Sequence, residues 1–254
     1  CVTAMIPLYF MSRKHLKTKI DRKDWKYFFL VGALGYFLTV QMIQLGIALT
    51  GASMAALINA MTPVAVTILA AIILKEKITP VKCLCLVLAL AGTIVITSGA
   101  STPGETMGIA VVLVGVVSFA AASVYMRRLT AKYPAVLVTT YSMAISLIFH
   151  IPVGIVTVCT RPVTITPLGV AIILYLGFAG SGVAQYTWTK CLSMLPASTC
   201  SLFYPLQPAF AALLGAWLLG ETFTPAFFIG LTLISLDVVL NTWEARQTDK
   251  ALTA

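Results

Sequence analysis

The chain has 254 residues, 59% hydrophobic and 10% charged, with 17 Lys and Arg against 8 Asp and Glu. Soluble domains carry about 25% charged residues, so this composition, with a mean hydropathy of +0.98, excludes a water-soluble globule and points to lipid as the solvent. The formal charge of +9 does not call for nucleic acid, because the basic residues cluster in the short segments between apolar runs.

Residues 1–12 are apolar up to Met11 and too few to cross ~30 Å of hydrocarbon at 1.5 Å per residue. Their positive charges follow the apolar stretch, whereas a signal peptide carries them in front. The segment reads as the tail of a truncated helix. Spans of about 20 residues are expected at 25–49, 52–75, 80–99, 107–127, 134–158, 166–190, 196–219 and 224–243. The linkers carry helix breakers: Thr50-Gly51, Thr79-Pro80, Ser101-Thr102-Pro103-Gly104, Pro134, Thr166-Pro167, Pro196 and Thr224-Pro225. A Thr-Pro pair suits a helix start, since Thr caps the first turn and Pro at the first helical position gives up no needed hydrogen bond.

Helices that cross in alternation assign each linker to a side. With the run 12–26 inside, all 17 Lys and Arg except Arg161 fall inside, a strong positive-inside signal. It places the C-terminus in the cytoplasm and the net charge along a rim that faces anionic lipid. The chain also repeats. Laid over 191–225 without gaps, residues 46–80 give ten identities in thirty-five columns, including Ala52-Ser53 on Ala197-Ser198, Pro63 on Pro208, Glu76 on Glu221 and Thr79-Pro80 on Thr224-Pro225. The offset is 145 residues. It predicts a first repeat at 1–100, lacking about one and a half helices before Cys1, and a second at 106–245. Five helices per repeat is an odd number, so the second repeat enters from the opposite side. Inverted repeats of this kind are used by secondary transporters, with the substrate held between the halves near mid-membrane.

The stretch Ser201-Leu202-Phe203-Tyr204-Pro205-Leu206-Gln207-Pro208, followed by Leu213 to Glu221, resembles the fourth helix of an EamA repeat, and Ala52 to Pro63 with Ile73-Leu74-Lys75-Glu76 resembles its first copy. The chain is similar in this to the drug/metabolite transporter superfamily. The resemblance implies an all-α multi-pass bundle of two inverted five-helix repeats in the cell membrane, with cytoplasmic termini, moving amino acids, metabolites, drugs or nucleotide sugars. Export is favoured over import by the same analogy.

Polar residues inside the spans are the candidate substrate site. Pro63 and Pro208 fall near the middle of predicted helices, where each frees the carbonyl four residues back, at Asn59 and Tyr204. Structural kinks and substrate-site hinges are both open readings. Asn59 and Thr62, and in the second copy Tyr204 and Gln207, share the proline face. The preceding helices add Gln41 and Gln44, and then Gln185, Tyr186, Trp188 and Thr189. These groups either hydrogen-bond between helices or line a wet cavity suited to a polar or zwitterionic organic molecule. Asp237 is an acid well inside a predicted span and a candidate for proton coupling or for pairing with a cationic substrate. His150 reads as a satisfied core histidine or as a proton relay. The glycine runs Gly32 to Gly35 and Gly177 to Gly182 permit close helix contact.

The six cysteines form no CxxC pair, and packing as small apolar groups is their default against metal or disulfide roles. No cofactor, metal or catalytic residue is expected, and no GxxxxGK[ST] loop is present to bind ATP. An intramembrane enzyme would need a cluster of acids, a nucleophile–base pair or a metal set, which the sequence does not display. The expected partners are the lipid bilayer and a small-molecule substrate. The alternative is a lipid-translocating or structural membrane protein.

Overall fold

The structure is a computed structural model that describes residues 2–13, 18–59, 61–75, 103–160 and 166–201, with scattered helical positions in 80–91 and 217–243. The described elements are all helical: α1 (Val2–Ser12), α2 (Trp25–Thr50), α3 (Ala52–Asn59), α4 (Thr62–Leu74), α5 (Pro103–Thr130), α6 (Ala135–Thr160), α7 (Pro167–Met194) and α8 (Ala197–Ser201). Four of them, α2, α5, α6 and α7, are long and apolar enough to cross a bilayer. The expected spans 80–99, 196–219 and 224–243 lie largely outside the described residues.

The breakers act as their chemistry requires. Gly51 ends α2 with φ +84°, a left-handed conformation that costs glycine nothing, and its N–H returns to Ile47 O at 2.9 Å. Thr166 caps α7 by accepting from Gly169 N at 3.1 Å, with Pro167 in the first position. The expected span 52–75 needs correction. It is two helices, with Pro63 in the first turn of α4 rather than mid-helix. That position tolerates proline because its missing N–H is one the helix does not use, so the chain breaks before Pro63 instead of kinking around it.

Two helices carry a wider turn that the sequence did not announce. Val31–Leu38 in α2 and Leu176–Val183 in α7 are π-helical. The two segments lie 145 residues apart, the offset that aligns the halves of the sequence, and Gly32 falls on Gly177 and Gly35 on Gly180. Such segments are rare and concentrate at functional sites.

The chain forms two compact units. In the first, built from Cys1–Leu38 and Ala121–Pro196, glycines bring helices close. A methyl group on Gly35 would lie 2.7 Å from Ala122 Cβ, and one on Gly177 would collide with Thr3. Gly180 has nothing near it. The basic ends of the helices gather together here. Lys132 Nζ, between α5 and α6, meets Asp24 Oδ2 at the start of α2 at 3.0 Å. Arg127, at the end of α5, donates to Leu192 O in the last turn of α7 at 2.7 Å. In this unit α2 and α6 therefore start, and α5 and α7 finish, at one end, as the alternation read from the basic linkers requires.

The second unit contains Thr39–Ala120 and Ala197–Ala254. Its core packs Ala55 and Ile58 of α3 against Ile109, Val112 and Val116 of α5. The α2 segment in this unit crosses α5 antiparallel through Gly46, Gly108 and Gly115, and Thr39 Oγ1 donates to Gly115 O at 3.4 Å. Short α8 packs on α4.

Candidate functional site

The first unit holds a polar cluster within its membrane-length helices. Tyr36, in the π segment of α2, is 2% exposed. Its hydroxyl approaches those of Thr139 on α6 and Thr189 on α7 without a well-formed hydrogen bond to either. Both threonines already donate along their own helices, Thr139 to Ala135 O at 3.0 Å and Thr189 to Gln185 O at 2.9 Å. Among the described residues, three buried atoms on α2, α6 and α7 make no well-formed hydrogen bond: Tyr36 Oη, Ser142 Oγ and Gln185 Oε1. Leaving such a group unsatisfied costs about 1–3 kcal/mol. Native interiors rarely keep one without a role for it. Tyr36 and Ser142 carry hydroxyls and Gln185 Oε1 is an amide acceptor, and none of the three has a fixed charge. Beside them Trp188 Nε1 donates to the fully buried Ser123 Oγ at 3.3 Å.

The expected site residues divide between the units. In the first, Gln185 belongs to the cluster, Trp188 borders it, and Tyr186 lines a separate cavity at the basic end of the helices. In the second unit, Gln41 is half-buried and Gln44 exposed. Asn59, Thr62 and Pro63 are buried at the break between α3 and α4. The Asn59 carbonyl expected to be freed by Pro63 is not left open, because Thr62 Oγ1 donates to it at 2.5 Å. Tyr204, Gln207, Pro208 and Asp237 lie outside the described residues. Tyr36, Ser142, Thr139 and Ser123 were not singled out from the sequence. The one signal for Tyr36 is its position beside the glycine run. His150 is half-buried. Its Nδ1 lies 3.0 Å from Ser146 O and its ring sits edge-on to Phe37 at 5.1 Å, contacts that match a satisfied packing residue. Among the described residues, Cys83, Cys159, Cys191 and Cys200 form no disulfide.

The basic end is held by a second, charged network. Tyr133 Oη donates to Asp24 Oδ2 at 2.9 Å and accepts from Asp21 N at 3.2 Å. The Lys132 hydrogen bond, helped by Tyr133, holds the Asp24 carboxyl below its ordinary range against the opposing effect of burial. Asp24 in turn raises Lys132, and burial raises the Tyr133 phenol. Nearby, Tyr27 stacks on Tyr125 at 5.5 Å, with the Arg128 guanidinium 4.7 Å from the Tyr27 ring.

The sequence profile of the EamA-like transporter family matches residues 1–98 and 106–243. An uncharacterized transporter of Clostridium kluyveri is 25% identical over 245 residues, covering 93% of this chain and 78% of the relative. One from Bacillus subtilis is 28% identical over 244 residues, covering 93% and 79%. One from Archaeoglobus fulgidus is 27% identical over 230 residues, covering 89% and 80%. A crystal structure superposes with a TM-score of 0.71, covering 97% of this chain and 86% of the other. Its 19% identity makes this a likeness of fold. The matched stretches take in nearly the whole chain, and with its apolar membrane-length helices it belongs to the EamA-like transporter family of multi-pass helical membrane proteins.

Proposed function

We propose that the chain is a secondary-active exporter of small polar organic molecules, such as amino acids, metabolites or drugs. It works by alternating access between two inverted repeats, 1–100 and 106–245. It sits in the cell membrane with its C-terminus and the basic ends of its helices in the cytoplasm. The observation that carries the substrate class is the set of buried groups of Tyr36, Ser142 and Gln185 that make no well-formed hydrogen bond among the described residues. A site that offers hydroxyls and an amide without a fixed charge favours neutral or zwitterionic ligands. The paired π segments, bearing glycines at equivalent positions, suit places where helices flex as access alternates. Gln41, Gln44, Asn59, Thr62, Pro63, Trp188, Tyr204, Gln207 and Pro208 are further proposed substrate contacts, and Asp237 is the proposed coupling residue.

Flux of a transported substrate into proteoliposomes tests the assignment. Gln185→Leu and Tyr204→Ala should each lower flux at low substrate concentration about tenfold or more, the cost of one or two lost hydrogen bonds, with insertion and folding intact. Wild-type flux in both variants would remove the cavity. Repeated across pH, Asp237→Asn should abolish the pH dependence of flux. A dependence that survives returns Asp237 to a structural role.

A further inference from the structure

At the basic end of the first unit lies a polar cavity of about 560 Å³, lined by Thr130, Lys132, Tyr133, Tyr186, Lys190 and Ser193 among others, none of them acidic. It opens between the turn that joins α5 to α6, the first turn of α6 and the last turns of α7. We propose that this cavity binds the phosphate of an anionic phospholipid headgroup.

Four features support it. The cavity sits where membrane-length helices end, the depth at which headgroups lie. Its two ammonium groups differ in availability. Lys132 is held by Asp24 at 3.0 Å, whereas Lys190 is exposed and makes no ion pair among the described residues. The ordinary duty of a lysine near a helix C-terminus is to meet the carbonyls there, but Arg127 already fills it on α7 at Leu192 O. Lastly, Ala135 and Val136 of the cavity wall precede the first bonds of α6, which Leu137 N and Val138 N donate to Pro134 O. Their N–H groups have no partner inside the helix. An unpaired lysine, unspent amides and tyrosines at the interface recognise a phosphodiester whose acyl chains remain in the bilayer. The inference concerns the membrane-embedded chain and is independent of which substrate it moves.

The test follows thermal unfolding of the full chain in a neutral detergent with added phosphatidylglycerol, phosphatidylcholine or inorganic phosphate at matched ionic strength. Phosphatidylglycerol should raise the midpoint saturably and phosphatidylcholine should not. Lys190→Gln should weaken the apparent phosphatidylglycerol affinity about fivefold, the contribution of one basic residue at an anionic surface, and Lys190→Arg should restore it. Arg22→Gln, an exposed charge outside the cavity, should have no such effect. Ser193→Leu, which fills the cavity at constant charge, should lose the response. The proposal fails if Lys190→Gln responds as wild type, or if Arg22→Gln weakens the response equally, which marks diffuse surface charge. A shift reproduced by inorganic phosphate alone would assign the site to a free anion and overturn the lipid.

Discussion

Gly32→Val is expected to destabilise the folded chain by about 3 kcal/mol or more, the upper range for forcing atoms into a packed interior. A Cβ at this position would lie 2.6 Å from the Ser142 carbonyl oxygen and 3.0 Å from Ile145 Cγ2 on α6. The first neighbour is backbone and cannot swing aside, so α2 and α6 must separate. That separation would also disturb the π segment and the Tyr36 cluster one turn away. Gly154→Ala is the matched control. It lies in α6 with nothing within 4 Å of the added carbon, and it should be neutral or stabilising by up to about 1 kcal/mol through helix propensity. Thermal midpoints in detergent separate the two. Equal midpoints for both variants would show that the close approach of α2 to α6 is not as described.

The Asp24 network should give the folded state an acid and an alkaline limb. A carboxyl with a lowered pKa contributes stability above its unfolded value, near 4, and loses it as pH falls through the folded value. Lys132, whose pKa is raised, contributes below its unfolded value and loses that contribution as pH rises through the folded one. Tyr133, raised by burial, does the same. The stabilised window therefore runs from about pH 4 to about pH 10. Lys132 is more than half exposed, so water screens its ion pair and the buried Tyr133 bond carries the greater share. Tyr133→Phe should cost about 1–2 kcal/mol near neutral pH, because Asp24 loses a donor and the Asp21 N–H an acceptor. Asp24→Asn should flatten the acid limb while keeping a neutral bond to Tyr133. Midpoints measured against pH check both. An acid limb unchanged by Asp24→Asn would mean that another carboxylate controls it.

Much of the helical frame was legible in the sequence. Thr166-Pro167 and Thr50-Gly51 mark where helices begin and end, because capping and left-handed glycine are local physics. The break before Pro63 was half legible. Proline announced a disturbance, but whether it kinks one helix or opens a second depends on which backbone groups find new partners, and Thr62 supplies one for Asn59. The π segments and the Tyr36 cluster were not legible. Tyr36, Ser142 and Gln185 lie on three helices far apart in sequence. Helical periodicity tells which residues share a face but not which faces meet. Gln185 was visible because an amide in an apolar run is conspicuous, whereas a tyrosine or serine there passes as ordinary packing.

The most direct measurement is a ligand screen by thermal unfolding. The chain would be held in detergent against amino acids, nucleosides, other metabolites and cationic drugs. A ligand that binds only the folded state adds about 2.7 kcal/mol at a hundredfold excess over its Kd. A saturable shift confined to one class of neutral or zwitterionic molecule is expected, and it should be lost in Gln185→Leu. A well-folded sample that responds to none of these compounds would contradict the assignment of a soluble organic substrate and favour a lipid-moving or structural role.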